Sequence, residues 1–336
     1  MLDNGPLIMA SKKADLKPRR SVQGPLGAWQ RLAVNGIEEF AEAVAGANLE
    51  TAQLARGRMI GSLAYLQDKG VTYSSGMVGR RLALRGCLSE SMVTIGIGVR
   101  LGSGSRQWLN EVRTGEFAVF LPGASHDALY GDGSTYFCAT LNTDHLEEIA
   151  AEMGLVLDRR QLGETGVSQH PLPVAVLKTA TPLVGSLHGA SLGNADDPSV
   201  VGRYLLRQTI KIMSRPPRHM TGRQSPAGHA KIVARAHDYI LAHIDRPIVT
   251  ETLCRSIGVS PSTLNRAFHE ILCETPHSYV RKLRLNRIRN DIVSDAEAIC
   301  TITIAANRWG ISEMGRLSRW YRYLFDELPS GTIKNK

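Results

Sequence analysis

Residues 253-LCRSIGVSPSTLNRAF-268 indicate the architecture of the last third of the chain, because a near copy, 305-AANRWGISEMGRLSRWY-321, follows them. In both copies a small residue stands four positions before a glycine, and an arginine and an aromatic residue follow. The glycines, Gly258 and Gly310, lie 52 residues apart. Three further position pairs lie 53 residues apart: Arg266 and Arg319, Phe268 and Tyr321, Pro276 and Pro329. The chain therefore repeats one small unit, with one residue inserted in the second copy.

Each copy predicts a helix, a tight turn and a second helix. The first helix is expected to end at the glycine, which permits a left-handed backbone conformation. Ser260 and Ser312 can cap the second helix, and Pro261 suits its first turn. One face of that helix is apolar and the other is polar. The polar faces carry Ser262, Thr263, Asn265 and Arg266 in one copy and Glu313, Arg316 and Arg319 in the other. The pattern predicts two helix-turn-helix units, at about 250–273 and 301–326.

A linker helix is predicted between the two units, over 276-PHSYVRKLRLNRIRNDIVS-294. Its apolar positions fit a single helix, and its other faces carry five basic residues. Nineteen helical residues span about 28 Å. That length is similar to the ~34 Å between successive major-groove openings on one face of B-DNA. One rigid helix can thus hold two recognition helices in adjacent grooves, and we expect the arrangement to bind double-stranded DNA.

These residues resemble the C-terminal domain of the arabinose-regulator (AraC/XylS) family of bacterial transcription regulators, over about the last 105 residues. The resemblance is carried by LCRSIGVSPSTLNRAFHEI, by RKLRLNRIRNDIV, and by AANRWGISEMGRLSRWYRYLF followed by Leu-Pro-Ser. A fainter similarity points to the subgroup around the ethanolamine-operon regulator. Cys273 and Asp326 depart from the family, because glycine is common at those positions. Gly315 falls inside the second recognition helix, where glycine costs about 1 kcal/mol relative to alanine.

The resemblance also implies which side chains read DNA bases. The positions it indicates are Ser262, Asn265 and Arg266 in the first recognition helix and Met314, Gly315, Arg316 and Arg319 in the second, with Thr263 on the same outward face as the first set. Arginine can bond bidentately to guanine, and asparagine can read adenine. Met314 and Gly315 offer an apolar contact or none, so we expect the first unit to supply more of the discrimination. For Arg266 and Arg319 a salt bridge within the domain stays open as the alternative.

The positive charge is concentrated in the C-terminal part of the chain. The net charge is +9, yet residues 1–198 hold 18 Lys+Arg and 20 Asp+Glu. Residues 199–228 hold six basic residues and no acid, and residues 229–336 hold 16 basic and 11 acidic residues. This partition suggests a polyanion partner for one half only, with a merely solvated basic face as the alternative. On the linker helix, phosphate contact is the role expected for Arg281, Lys282 and Arg284.

Length and composition predict two domains. With 336 residues and 43% hydrophobic residues, the chain can bury a core in each. We divide it into a loose tail (1–25), a β-rich domain with helices (26–214), a proline-containing linker (215–228) and the DNA-binding domain (229–336). The five cysteines are widely spaced and contain no C-x-x-C pair, which argues against a disulfide framework or a zinc site. No apolar stretch long enough to span a membrane and no signal sequence occurs, so we expect a cytoplasmic protein.

Short β-favouring runs between glycine-rich turns occupy about residues 56–141. Runs such as SMVTIGIGV, EFAVFLP and TYFCATL, separated by turns such as DKG and GSGS, predict an antiparallel sandwich or barrel. Helices are expected at 143–153, capped by Thr143 or Asp144, and at 199–214. These two helices can form a homodimer contact or pack in the ordinary way, and the sequence leaves both open. The fold class is therefore α+β, with a β-rich N-terminal domain and an all-α C-terminal domain.

Family resemblance implies that the N-terminal domain senses a ligand or dimerises and is often cupin-like. Gly115-x6-Pro122-Gly123-x2-His126 is similar to the second half of a cupin signature, but the first half is absent, so we expect no metal and no cofactor. The candidates for contact with an effector are His126, Trp108, Tyr130 and Tyr136. The alternatives are a structural histidine and ordinary core aromatics. Gly96-x-Gly98-x3-Gly102 resembles a phosphate-binding loop, but no helix is predicted after it, so that interpretation is rejected.

The sequence thus predicts a DNA-binding transcription regulator, expected to be an activator controlled by a small-molecule effector. RNA polymerase is a partner that the family resemblance implies. One alternative is an enzyme whose β-barrel catalyses a reaction while the C-terminal part only docks the protein to DNA. Such an enzyme needs a metal triad or a nucleophile–base pair. The sequence offers neither, so we predict no enzymatic activity. The other is a non-specific nucleoid-type binder, which the distinct polar faces of the two units disfavour.

Overall fold

Within the described residues, most strands form where β-favouring runs alternate with glycine-rich turns, and the regular structure after residue 228 is helical. A computed structural model describes residues 28–155, 157, 165–168, 170–189, 199–213, 217–219, 228–294, 301–312 and 314–334, with backbone only at 217–219. The predicted tail (1–25) and most of the predicted linker (215–228) lie outside the described residues. The described part of the linker, Pro217–His219, is a strand that pairs with Gly166–Ser168.

All strand pairs are antiparallel, as predicted. The strands are β1 (Gln30–Val34), β2 (Glu50–Gln53), β3 (Gly61–Asp68), β4 (Val71–Val78), β5 (Leu82–Cys87), β6 (Val93–Arg100), β7 (Arg106–Gln107), β8 (Asn110–Glu111), β9 (Phe117–Phe120), β10 (Ser125–Tyr130), β11 (Ser134–Leu141), β12 (Gly166–Ser168) and β13 (Pro217–His219). One sheet has the order β1-β3-β4-β11-β6-β9-β12-β13, and the other β2-β5-β10-β7-β8. Together they form the β domain.

Among the described residues, three α-helices complete the β domain, α1 (Thr143–Glu152), α2 (Val174–Leu187) and α3 (Val200–Ile212), and a 3₁₀ helix at Ile37–Glu42 precedes β2. The three α-helices pack against the larger sheet in one buried apolar cluster with Phe137 and Tyr73. The predicted helices at 143–153 and 199–214 are confirmed within one or two residues at each end, whereas α2 was not predicted. The predicted cap of α1 was wrong, because Asn142 caps the helix by accepting a hydrogen bond from the Asp144 backbone N–H.

The C-terminal part is helical throughout its described residues. Its helices are α4 (Gly228–Ala242), α5 (Thr250–Ile257), α6 (Pro261–Leu272), α7 (Pro276–Ser294), α8 (Ile302–Arg308), α9 (Met314–Phe325) and α10 (Pro329–Lys334). We refer to α5 and α6 as the first pair and to α8 and α9 as the second pair. The single helix α7 runs between the pairs with the predicted bounds. None of the described helices combines the length and hydropathy that a membrane span requires.

Candidate nucleic-acid interface

The turns of the two pairs have the same backbone geometry. Gly258 ends α5 with φ = 70°, and Gly310 follows α8 with φ = 69°, so both glycines adopt the predicted left-handed conformation. Ser260 caps α6, since its Oγ accepts a hydrogen bond of 3.2 Å from the Thr263 backbone N–H. The second helix of each pair also ends alike, because Cys273 and Asp326 adopt φ values of 57° and 61°. The repeat read from the sequence is therefore a repeat of structure.

Helix α6 buries one face and exposes the other. Leu264 and Phe268 are fully buried. The predicted base-reading residues Ser262, Asn265 and Arg266 are exposed. The fourth, Thr263, is half-buried, and its Oγ1 lies 2.8 Å from Ser260 Oγ. In the part of the chain that the structure describes, no carboxylate lies within ion-pair distance of Arg266, so the alternative of a salt bridge finds no partner there.

Helix α9 repeats this division. Leu317 and Tyr321 are fully buried, whereas Gly315, Arg316 and Arg319 are exposed. A Cβ on Gly315 would have no atom within 4 Å, so this position opens directly to solvent. Met314 differs from the expectation, because its partly buried side chain packs against the apolar cluster that contains Leu317. The outward face of α9 is thus more basic and less varied than that of α6.

Two of the three predicted phosphate contacts are used inside the protein. Lys282 Nζ donates to the Leu54 carbonyl at 2.6 Å and lies 2.9 Å from Glu274 Oε2. Arg284 donates to three backbone carbonyls, at distances of 3.0 Å (Ile244), 2.5 Å (Arg246) and 3.4 Å (Gly310). In this structure, which contains no DNA, both side chains are therefore engaged within the protein, and their phosphate contact stays a prediction. Arg281 is half-buried, with its guanidinium carbon 5.1 Å from the centre of the Trp320 ring.

Helix α7 joins the helical part to the β domain through a buried pair of amides. The Gln53 backbone N–H donates to Asn286 Oδ1 at 2.9 Å, and Asn286 Nδ2 donates back to the Gln53 carbonyl at 3.3 Å. The Gln53 side chain donates in turn to the Leu324 carbonyl at the end of α9, at 2.8 Å. Gln53 and Asn286 are 1% and 2% exposed. Sequence analysis did not find this contact, because the partners are 233 residues apart.

Arg289 links α7 to the β domain and to the end of the second pair. Its guanidinium bonds to Glu38, which precedes β2, and to Glu327, which follows α9. Tyr321 and Thr332 also accept from it, at 3.4 and 3.3 Å. Arg289 is 7% exposed, so its charge is compensated internally and it is not a candidate DNA contact.

The β domain contains a separate cavity of about 60 Å³ between its two sheets. Three predicted effector contacts, His126, Tyr130 and Tyr136, line it, together with apolar side chains. Trp108 does not line the cavity. The centre of its ring lies 5.3 Å from the centre of the Phe120 ring, and Phe120 does line the cavity. Burial lowers the pKa of His126 to about 4, and its Nδ1 has no hydrogen-bond partner among the described residues. A buried ring nitrogen without a partner marks the point where a ligand's polar group could bind.

Part of the cavity wall is formed by residues 37–53, the segment of the β domain that also contacts α7. Ala43, Val44 and Leu49 line the cavity, and the Tyr136 hydroxyl donates to the Ala43 carbonyl at 2.6 Å. The same segment, residues 37–53, carries three partners of α7: Glu38, Glu50 and Gln53. Within the described ranges, no group of three His, Cys, Asp or Glu side chains is placed to share a metal ion.

Comparisons with known proteins agree with the repeat geometry. Residues 253–335 match the family model of a helix-turn-helix domain. The regulatory protein HrpB of Ralstonia nicotianae is 35% identical over 100 residues, which cover 30% of this chain and 21% of that protein. The XylDLEGF operon transcriptional activator of Pseudomonas putida is 31% identical over 100 residues, which cover 30% and 31% of the two chains.

A solved structure shows the same extent of similarity. The crystal structure of a probable AraC family transcriptional regulator from Rhodopseudomonas palustris is 31% identical, covering 31% of this chain and 96% of that one, with a TM-score of 0.30. Three of the curated relatives are matched over about a fifth to a third of their own length. The similarity to these proteins therefore concerns the C-terminal helical part.

Proposed function

We propose that this chain, whose C-terminal domain belongs to the AraC/XylS family of helix-turn-helix domains, is a sequence-specific DNA-binding transcription regulator. The observation that carries the proposal is the repeated division of α6 and α9. In each, the apolar face is fully buried and a face with arginine is exposed. The two pairs then act as two helix-turn-helix units, within proposed domain bounds of 229–336 for the helical domain and 26–214 for the β domain.

In this proposal the two units read DNA differently. Arg266 and Asn265 on α6 suit guanine and adenine, respectively, in the major groove. On α9, Arg316 and Arg319 supply the polar contacts, while Gly315 contributes no side chain. The first unit therefore supplies more of the sequence preference. Helix α7, with 19 residues, sets the spacing of the two units along one side of the duplex.

Phosphate binding on α7 is assigned to Arg281 alone among the three residues first considered. Lys282 and Arg284 are engaged with carbonyls and, for Lys282, with Glu274. A phosphate would have to displace these internal contacts, and the hydrogen bonds lost offset part of what a phosphate contact contributes.

The β domain is proposed to sense a small molecule in the cavity that His126, Tyr130 and Tyr136 line, in a cupin-like barrel. The support is the His126 Nδ1, which has no hydrogen-bond partner among the described residues, in a cavity lined mainly by apolar side chains with a few polar ones, among them Arg106 and Glu116. Its volume of about 60 Å³ admits only a small group unless the wall moves. Movement of the wall segment 37–53 would shift Glu38 and Gln53, and with them α7. Ligand binding would thereby change the position of the two helix-turn-helix units relative to the β domain.

The direction of regulation and the partners complete the proposal. An activator fits the name of the Pseudomonas putida relative, and RNA polymerase would then be its partner. Helices α1 and α3 offer surfaces for a homodimer. The cytoplasm is the compartment in which such a regulator meets DNA.

The test is selection of duplexes from a random library by the full-length protein, followed by fluorescence anisotropy. We expect the selected duplex to bind at least 100-fold more tightly than a scrambled one. Arg266→Ala and Arg319→Ala should each weaken specific binding about 5- to 150-fold, the range for a lost bidentate base contact. Arg113→Ala, which removes an exposed arginine of the β domain, is the matched control. Equal affinity for selected and scrambled duplexes would refute the proposal.

A further inference from the structure

We propose that three arginines of the β domain, Arg56, Arg58 and Arg80, extend the DNA-binding surface beyond the second pair and bind the phosphate backbone of the duplex. We call these three residues the basic rim. The inference rests on the proposed function, and it assigns a DNA contact to the β domain, which lies outside the matched helix-turn-helix domain at residues 253–335.

The loop that carries Arg56 and Arg58, two members of the basic rim, is fixed to the end of α9. The Gly57 backbone N–H donates to the Leu324 carbonyl at 3.1 Å. Gln53 Nε2 donates to the carbonyls of Leu324, Ala55 and Gly57, at 2.8, 2.9 and 2.5 Å. Because Gln53 is 1% exposed, this junction is buried and preorganised. The loop therefore holds its arginines in a set position relative to α9.

One arginine of the rim continues the outward face of α9. The guanidinium carbon of Arg56 lies 4.9 Å from the centre of the Tyr323 ring. Residues three and seven positions apart share a helix face, so Tyr323 follows Arg316 and Arg319 along the same side of α9. Tyr323 is 58% exposed, which is unusual for a large aromatic side chain in a folded domain. The Arg56 guanidinium thus extends a surface that already carries two arginines.

Distances along the helix suit a phosphate contact. Seven residues separate Arg316 from Tyr323, or about 10 Å along the axis. The major groove is about 12 Å wide. A guanidinium stacked on Tyr323 is therefore placed near the sugar–phosphate wall when Arg316 reaches the base edges. Stacking leaves the edge of the guanidinium free to form the forked hydrogen bonds that phosphate accepts.

The other two arginines widen the positive surface. Arg58 and Arg80 are exposed, and Arg80 Nε lies 3.6 Å from where a Cβ on Gly57 would stand. In the described ranges, no carboxylate pairs with any member of the basic rim. The basic rim thus carries three positive charges that no described carboxylate neutralises, although residues 1–198 as a whole have a net negative charge. Such a local excess is the electrostatic signature of a polyanion contact.

The first pair offers no equivalent extension. The repeat spacing of 53 residues makes Glu270 the counterpart of Tyr323. Glu270 is acidic and lies 2.5 Å from His229 of α4. The basic rim therefore extends the interface on the side of the second unit only, which compensates for the missing side chain at Gly315.

The test measures the affinity of the full-length protein for a selected and for a scrambled duplex between 50 and 300 mM KCl. Each lost phosphate contact should lower the slope of log affinity against log salt by about 0.9 and weaken binding about fivefold at 0.15 M. The effect should be equal for both duplexes, because phosphate contacts carry no sequence information. The variants are Arg56→Ala, and Arg58→Ala with Arg80→Ala, which leaves the Tyr323 stack intact.

The controls separate this inference from the proposed function. Arg113→Ala removes another exposed arginine of the β domain and should leave the slope unchanged. If the rim variants keep the wild-type slope while Arg266→Ala abolishes sequence preference, the basic rim does not contact DNA, although the regulator function stands. If the wild type shows no sequence preference, the proposed function fails, and the rim is still tested by the slope on the scrambled duplex. Arg56→Lys, which keeps the charge, should retain most of the slope.

Discussion

Gln53 and Asn286 bond to each other in both directions, at 2.9 and 3.3 Å, across the boundary between the β domain and α7. Both residues are almost fully buried. Asn286→Ala would leave the Gln53 backbone N–H and carbonyl without these partners in a site closed to water. A buried polar group that loses its partner costs about 1–3 kcal/mol. We expect Asn286→Ala to lower the free energy of unfolding by about 3 kcal/mol in urea titrations.

The control for this substitution is Asn307→Ala, which truncates an exposed asparagine of α8. Surface changes of this kind stay within about 0.5 kcal/mol. Equal effects of the two substitutions would show that the amide pair does not hold α7 against the β domain. Limited proteolysis gives a second measure, because the loosened Asn286→Ala variant should be cut faster.

Gly258 and Cys273 occupy the same left-handed conformation, with φ values of 70° and 57°. A Cβ on Gly258 would meet no atom within 4 Å, so Gly258→Ala changes backbone strain alone. We expect Gly258→Ala to destabilise the protein by about 1 kcal/mol and Cys273→Gly to stabilise it by up to about 1 kcal/mol. Thermal unfolding by circular dichroism measures both.

The matched control is Gly315→Ala, since Gly315 lies in α9 with helical geometry and open space around it. Here alanine should stabilise by a few tenths to about 1 kcal/mol. The same substitution thus has opposite signs at Gly258 and Gly315. A loss of stability at both positions would contradict the assignment of strain to the left-handed turn.

Local chemistry made the helical domain predictable from the sequence. The turn glycines, the cap at Ser260 and the apolar stripe of α6 are signals within a few residues, and each has its expected place in the structure. Helix α2 gave no such signal, because Pro182 lies inside it and no side chain caps its N-terminus. The neighbouring apolar cluster stabilises it nonetheless, through Val176, Ala180 and Val184.

Contacts across the domain boundary could not be predicted. Lys282 and Arg284 are basic residues on the helix between the two helix pairs, and the sequence pattern there predicts phosphate contacts. Their actual partners, such as the Leu54 and Ile244 carbonyls, are backbone atoms that any sequence would supply. Exposure of Arg266 and Arg319 was predictable because the helical period alone places them opposite the buried stripe.

His188 should make stability depend on pH. Its ring bridges Ser62 Oγ and Ser75 Oγ, at 2.7 and 2.9 Å. Burial, with a smaller effect of Arg31, lowers the pKa of His188 to about 4, from 6.5 in the unfolded chain. The unfolded state therefore binds a proton first as the pH falls, and stability is lost between about pH 6.5 and pH 4. At pH 5 this loss amounts to about 2 kcal/mol relative to pH 7.5.

The measurement compares unfolding of the wild type and His188→Asn at pH 7.5, 6 and 5. The variant should be less stable at pH 7.5, because Asn cannot bridge both serines, but its stability should fall less on acidification. Burial also lowers the pKa values of His126 and His237 to about 4, so some dependence on pH should persist in the variant. Parallel pH profiles of the two proteins would rule out His188 as a source of the effect.

Arg284 and Arg281 lie on the same helix, yet we expect their substitutions to have different consequences. Arg284 joins the end of α4 to the turn of the second pair through the carbonyls of Ile244, Arg246 and Gly310. Arg284→Met keeps the apolar stem but removes these charge-assisted hydrogen bonds, which should lower the free energy of unfolding by about 2 kcal/mol. The salt dependence of DNA binding should not change.

Arg281→Met should cost less stability and should lower the slope of log affinity against log salt by about 0.9. If instead Arg284→Met lowers the slope and leaves stability intact, the guanidinium must leave its three carbonyls to bind phosphate, and the first expectation from the sequence would be right.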